Sequence, residues 1–271
     1  MVRAGGSRKR GKRRPRMVCF GMDRRGVVRA VAGVVLAALC TFAARADDEA
    51  AYRAKRIRLI QWIQVFTMMT SADTGVDEID PRVLAAMADV PRHEFVPDEL
   101  KPHAYQDTAL PIGHEQAVSQ PSLLAFMTHM ARVKDGDVVF ETGTDTGYLA
   151  AILSKLAARV YSVEYVGPLA AAAAERLKRL DYKNIDVRES DGFFGWPEHG
   201  PFDAIIVKEA VQSVPPPLLK QLKPGGRLIV PVGPPGGVQT LMLIERGQDG
   251  QIKEKRLIPV RFRPLQGGER I

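Results

Sequence analysis

Beyond residue 46 the chain contains no cysteine, because both of its two, Cys19 and Cys40, lie in the first 46 residues. The body of the protein therefore offers no disulfide, no thiolate metal site and no thiol nucleophile. Histidine is also sparse. The five histidines, His93, His103, His114, His129 and His199, are scattered without ligand spacing, so no metal is expected. Acidic residues are nearly missing from residues 1–46, which hold twelve Lys/Arg and one acid, Asp23, for a net +11. The whole chain carries +8, so the remaining 225 residues carry +8 − 11 = −3. The basic balance belongs to the leader, and the argument from it for nucleic acid disappears.

The apolar run Ala30 to Ala44 is too short to be a comfortable membrane span. Arg24, Arg25 and Arg29 precede it, and Ala44-Arg45-Ala46 forms an A-x-A cleavage pattern before Asp47-Asp48-Glu49. These features predict an export signal cleaved near Ala46 and a periplasmic mature chain, with a membrane contact only if the leader stays uncleaved. A retained basic tail or single anchor is the alternative, and with it a cytoplasmic location. A start at Met17 or Met22 is also open, the latter giving a signal of more ordinary proportions.

The 225 residues beyond the leader are enough to bury a full core. Residues 50–70 read as an amphipathic helix through Ile57, Ile60, Ile63 and Val65. Asp80-Pro81 opens a second helix, with Asp as N-cap and Pro at its first position. Pro91, Pro97 and Pro102 break the chain into a looped region reaching Gly113, and Ser119-Gln120-Pro121 is expected to cap a helix through Leu123 to Met130. Strands at 138–141, 160–164, 185–189, 202–207, 227–232, 239–244 and 254–260 then alternate with helices at 147–157, 168–180 and, from a Pro215-Pro216-Pro217 start, Leu218 to Leu222, with Lys223 to Gly226 as a tight turn. That alternation predicts an α/β fold with a doubly wound, mostly parallel sheet. The domains are expected as a leader over 1–46, a helical and looped extension over 47–113, and a ligand-binding domain over 114–271.

The most informative stretch is Val138 to Tyr148, in which an apolar strand ends in Glu141, passes through a glycine turn and opens into a helix. Such a turn brings backbone N–H groups close to a small ligand. Glu164, ending the next strand about twenty residues on, is placed to hydrogen-bond the ribose hydroxyls of a nucleoside cofactor. Ser190-Asp191-Gly192 follows the third strand and Phe202-Asp203-Ala204-Ile205 opens the fourth.

This order resembles class I methyltransferases that use S-adenosylmethionine, a Rossmann-like fold. The resemblance implies a cofactor site from Glu141, Gly143, Thr144, Asp145, Gly147, Glu164, Asp191 and Gly192. In it Gly143 and Gly147 border the methionine part, Glu164 holds ribose and Asp191 approaches the adenine amino group. A more specific resemblance covers residues 80–267. Val90 to Pro97, Leu110 to His114, Ser119-Gln120-Pro121, Leu222 to Gly233 and Phe262 to Gly267 look like the protein-L-isoaspartate O-methyltransferase family, which marks isomerised aspartates in damaged proteins. That likeness implies Ser119 as the catalytic residue beside the methyl acceptor, and His114, Gln116 and Val118 as substrate-binding residues. It implies isoaspartyl proteins or peptides as partners, no nucleic acid and no metal.

Four departures from the family pattern fall near the chemistry. Asp145 replaces the usual central glycine of the cofactor turn, a position that favours φ > 0, and Asp tolerates that region better than most residues. Glu115 and Ala117 replace a glycine and a threonine of the acceptor loop. Lys208-Glu209 stands where small residues are usual; Lys208 is a candidate to compensate Glu115, and reshaping of the pocket is the other reading. The expected function is methyl transfer to the α-carboxylate of L-isoaspartyl residues. The alternatives are a methyltransferase with another acceptor, or an exported non-catalytic homologue that binds peptides or a partner.

Overall fold

The computed structural model describes residues 48–267, so the expected leader lies outside the described residues. Two compact units are distinguished, Met1–Ala50 and Ala51–Ile271. Of the first, only residues 48–50 are described, and they are helical.

The second unit begins with helix α1, over 51–69, which buries Leu59 and Ile63. After the single turn α2 (Ser71–Thr74), α3 (Pro81–Asp89) starts as expected, with the Asp80 carboxylate accepting from the Arg82 backbone N–H at 2.8 Å. Two 3-10 turns, Arg92–Phe95 and Asp98–His103, occupy the proline-broken region. The next segment departs from the expected loop. Strands β1 (Leu110–Gly113) and β2 (Gln116–Val118) form an antiparallel hairpin, with Leu110 opposite Val118. The expected boundary between residues 113 and 114 therefore falls at a hairpin tip, inside one compact unit.

Helix α4 (Pro121–Ala131) corrects a second expectation. Its N-cap is Gln120, without a side-chain cap bond, and Ser119 lies outside the helix. The Asp107 carboxylate supplies the cap from the preceding loop, accepting the Ser122 backbone N–H at 2.8 Å. A carboxylate at a helix N-terminus satisfies one of the unpaired N–H groups and meets the positive end of the helix dipole.

The alternating part follows as β3 (Val138–Thr142), α5 (Tyr148–Ser154), β4 (Arg159–Glu164), α6 (Gly167–Arg179), β5 (Ile185–Glu189), β6 (Phe202–Val207), α7 (Pro216–Lys220), β7 (Leu222–Val232), β8 (Gln239–Arg246) and β9 (Ile252–Val260). These strands form one seven-stranded sheet in the order β5-β4-β3-β6-β7-β8-β9. Pairings from β5 to β7 are parallel, and β8 runs antiparallel between β7 and β9. Lys223 to Gly226 is not a free turn. It is carried within β7, where the register against β6 shifts between Phe202 and Ala204 and Gly225 takes φ +80°.

Both faces of the sheet are covered, which is why its central strands read as continuous apolar runs. Along β6, Ala204 and Ile206 join one core with Met127 and Ile152, while Ile205 and Val207 join the other with Phe140 and Leu218. Each fully buried Ile, Val, Leu, Met or Phe side chain among them contributes roughly 1.5–3 kcal/mol. The strand order reverses between β3 and β6, so the crevice at their carboxyl ends is where a doubly wound sheet receives its ligand.

Candidate active site

The chain leaves β3 through Gly143 and enters α5 at Gly147, at φ +67° and +88° respectively. Both take a left-handed backbone that residues with a side chain rarely adopt, and both are closely packed. A Cβ on Gly147 would stand 3.0 Å from Leu177, and one on Gly143 would stand 2.7 Å from a carboxyl oxygen of Glu209. Between them Asp145 adopts φ +52°, the left-handed conformation expected of it. Its backbone N–H donates to Glu164 Oε2 at 2.8 Å, and the Val166 N–H donates to Glu164 Oε1 at 2.9 Å. Glu164 therefore braces the turn. Each of its oxygens retains a second lone pair.

Thr144 is fully buried, and its hydroxyl lies 2.5 Å from that of Ser162. Ser162 in turn donates to Glu141 Oε1 at 2.7 Å. The other Glu141 oxygen is buried and has no hydrogen-bond partner among the described residues, with Lys208 Nζ 3.9 Å away. Asp191 caps the 3-10 turn Gly192–Phe194, accepting the Phe193 N–H at 2.9 Å, and Gly192 lies against Thr142.

Lys208 does not compensate Glu115. Its buried ammonium donates to Asp145 Oδ2 at 3.1 Å, whereas Glu115, on the exposed hairpin tip, has Arg263 at 3.5 Å. Two of the departures, Asp145 and Lys208, thus neutralise each other. Burial would lower the Lys208 ammonium, but Asp145 and Glu141 beside it, with Glu209, hold it above its ordinary value and charged. Glu209 accepts the Thr142 hydroxyl. Burial pushes Glu141 up to about 7 and Glu209 up to about 8, with neighbouring carboxylates adding to both.

Four carboxyl groups, Glu141, Asp145, Glu164 and Glu209, therefore surround one lysine at the crevice. That set, with a buried carboxylate oxygen lacking a donor, suits a ligand that brings positive charge.

A pocket of about 250 Å³ joins this turn to the hairpin. Gly143, Asp145, Lys208 and Glu209 line one side, and Gln116, Ala117, Ser119 and Gln120 line the other, with Arg261 and Arg263 among its remaining walls. Ser119 and Gln116 are thus brought together with the cofactor turn. Two other expected substrate residues are not. Val118 turns into the core opposite Leu110 with 2% exposure, and His114 stands exposed at the hairpin tip with φ +49°.

Sequence reasoning missed Arg92 as a contributor to the site. Fully buried, it donates from Nε to Ala104 O at 2.9 Å and from Nη2 to Ser119 O at 3.0 Å, and its guanidinium lies 4.7 Å from the Tyr148 ring centre. It ties the backbone at Ser119 to helix α5. The signal was present in the run Val90 to Pro97, but nothing local says which distant carbonyl a buried arginine will meet. Among the described residues no group of His, Cys, Asp and Glu side chains could hold a metal ion, and no helix is long and apolar enough to cross a membrane.

A sequence model of the protein-L-isoaspartate(D-aspartate) O-methyltransferase family (PCMT) matches residues 68–270. Protein-L-isoaspartate O-methyltransferase 1 of Cupriavidus necator is 48% identical over 237 residues, 88% of this chain and 90% of that one. Protein-L-isoaspartate O-methyltransferase 2 of Syntrophobacter fumaroxidans is 49% identical over 223 residues, 82% of this chain and 90% of that one. A solved protein-L-isoaspartate O-methyltransferase superposes with TM-score 0.67 at 28% identity; the match covers 78% of this chain and 66%, about two thirds, of that one. A Plasmodium falciparum structure in complex with S-adenosyl-L-homocysteine shares the fold, with TM-score 0.64 at 24% identity over 78% of this chain and 98% of that one.

Proposed function

The chain belongs to the protein-L-isoaspartate(D-aspartate) O-methyltransferase family, and on that premise we propose that it methylates the α-carboxylate of L-isoaspartyl residues in proteins, with S-adenosylmethionine as donor. The observation that carries this reading is the single pocket shared by Ser119 and Gln116 with Gly143 and Asp145. It brings an acceptor loop and a donor-binding turn within reach of one another.

S-adenosylmethionine supplies, when bound, a methyl group on a positively charged sulfur. The acceptor carboxylate is already a nucleophile at neutral pH, so no strong base is required. What this chain has to supply is alignment, and the gain from holding two reactants in line is large. Gly143 lets the backbone pass close under a ligand at the pocket wall, while Gly147 lets the turn enter α5 close against Leu177. Glu141 offers a buried, undonated oxygen to the donor's ammonium, and Glu164 offers its remaining lone pairs to ribose hydroxyls. On the acceptor side the Ser119 hydroxyl can donate to one carboxylate oxygen. Arg92 fixes the Ser119 carbonyl, and so the distance of that hydroxyl from the turn. Arg261 and Arg263 add positive charge to the walls, which favours an anionic acceptor.

The test is methyl transfer from labelled S-adenosylmethionine to an isoaspartyl peptide, with the matching aspartyl peptide as control. Selective labelling is expected. Cofactor binding without labelling of either peptide would move the activity to another acceptor, a reading supported by Glu209 and Glu115 beside the acceptor pocket.

The leader belongs to the same proposal. We infer from the Arg-rich segment, the apolar run and the Ala44-Arg45-Ala46 pattern that the protein is exported and cleaved near Ala46.

A further inference from the structure

Alignment of donor and acceptor gives Glu209 no part, yet its carboxyl group stands in the middle of the site. One of its oxygens lies 2.7 Å from where a Gly143 Cβ would be, the other accepts the Thr142 hydroxyl, and the side chain lines the pocket it shares with Ser119. A donor seated on the Gly143 turn, with its methyl directed at an acceptor beside Ser119, must carry its sulfur past this carboxyl group. The other three acids are engaged elsewhere. Asp145 faces the Lys208 ammonium, Glu164 braces two backbone N–H groups, and Glu141 lies deeper, against Ser162. Among the described residues the hydrogen bond to Glu209 comes from a neutral hydroxyl alone.

Transfer changes the charge at that point by one. The acceptor oxygen forms a bond to the methyl carbon as the carbon–sulfur bond breaks, and the electron pair of that bond returns to sulfur. The sulfonium of the donor becomes the neutral thioether of S-adenosylhomocysteine, and the acceptor carboxylate becomes a neutral ester. A carboxylate beside the sulfur attracts the first state of the cofactor and is indifferent to the second.

We propose that Glu209 is a specificity-determining residue that makes this site favour the cationic methyl donor over its neutral product, and so promotes product release. The proposal rests on the cofactor reading above. A proton link accompanies it. Glu209 is pushed up to about 8 by burial and by Asp145 and Glu164, against the Thr142 hydroxyl and Lys208. A cation arriving beside it draws that proton off, and the neutral product does so less. Glu141, Asp145, Glu164 and Lys208 face the same crevice, with Arg261 and Arg263 along the pocket wall, so the comparison of two ligands in one protein is the reading that isolates the sulfur's charge.

The experiment titrates S-adenosylmethionine and S-adenosylhomocysteine calorimetrically into the full chain and into its Glu209→Gln variant, which keeps an acceptor for Thr142. The expected result is a fall of about tenfold in affinity for the donor, with affinity for the product held within about twofold. Equal changes for both ligands, or no change for either, would overturn the proposal. Both ligands meet the same preparation, so partial misfolding lowers the bound fraction and leaves the ratio alone. Should the variant not fold at all, binding enthalpies of the unmodified chain in buffers of different ionisation heat decide the matter. More proton release with the donor than with the product supports the role of Glu209, and equal release sinks it. An unmodified chain that binds neither ligand would overturn the cofactor reading itself, and this proposal with it.

Discussion

At the scale of single residues the site is governed by carboxyl groups held away from water. In the unfolded chain Glu209 titrates near 4.5, whereas in the folded one it is pushed up to about 8. Between those values the folded state holds a proton that the unfolded state has lost, so this group makes stability fall as pH rises from about 4.5 to 8. Below 4.5 both states hold the proton and the effect vanishes. Glu209 keeps some exposure to the pocket, which screens the cost; on the order of 2 kcal/mol is a reasonable size at pH 8. Glu209→Gln removes the titration. The variant is expected to match the parent in denaturant unfolding at pH 4.5 and to exceed it by that order at pH 8. The difference between the two proteins isolates Glu209 whatever the rest of the chain does, and a difference that does not grow with pH would place this carboxyl group in contact with water. Asp145 shows a related limit of sequence reading. Its left-handed backbone was legible from its place in a glycine turn, but its partner Lys208 stands 63 residues away. One sequence does not reveal which buried charges meet.

At the scale of elements the informative one is the β1–β2 hairpin. It turns through His114 and Glu115, at φ +49° and +58°, the two positive values that a primed two-residue turn requires. Asn and Gly are the residues that meet this demand cheaply, and histidine is tolerated better than glutamate. Nothing in the segment Leu110 to Val118 announces strands: Pro111 and Gly113 interrupt it and the turn pair is atypical. The hairpin is held instead by Leu110 and Val118, which reach the core together. By contrast, the central strands β3, β4 and β6 are legible, because a strand buried on both faces has to be a largely apolar run, and the helices between them carry their own period. Ser119 looks like a helix cap in the sequence for a reason similar to the hairpin's, since the capping carboxylate, Asp107, stands 15 residues before the Ser122 N–H it accepts. Glu115→Gly is expected to raise stability by about 0.5–1 kcal/mol, the left-handed strain removed less the added freedom of the unfolded chain. It also frees Arg263 at the pocket wall, so the KM for an isoaspartyl peptide should fall. Unfolding curves and peptide kinetics on one variant check both, and a loss of stability would show that the turn carries no strain.

At the scale of the whole molecule the charge is divided very unevenly. Residues 1–46 carry +11, and the other 225 carry −3. The folded unit from Ala51 onward has its own two cores, its own sheet and every residue of the candidate site. A cationic segment ahead of an apolar run is what an export pathway reads. Removing it at Ala46 would leave the site residues unchanged while reversing the sign of the molecule's net charge, with the consequences that has for what the surface attracts. The expectation is that expression in a host with a periplasm yields, in the periplasmic fraction, a chain whose first residue is Asp47. N-terminal sequencing and intact mass would identify it, and it should no longer bind a cation exchanger near neutral pH. A chain recovered only from the cytosol with residues 1–46 still attached, and retained on the exchanger, would make the segment a basic tail. The proposed export would set a further condition on the chemistry: S-adenosylmethionine is made in the cytosol, so an exported enzyme would have to meet its donor outside or leave the cytosol folded and loaded. A preference for donor over product through Glu209 matters most in that setting, where a scarce donor competes with the product of each turnover for one site.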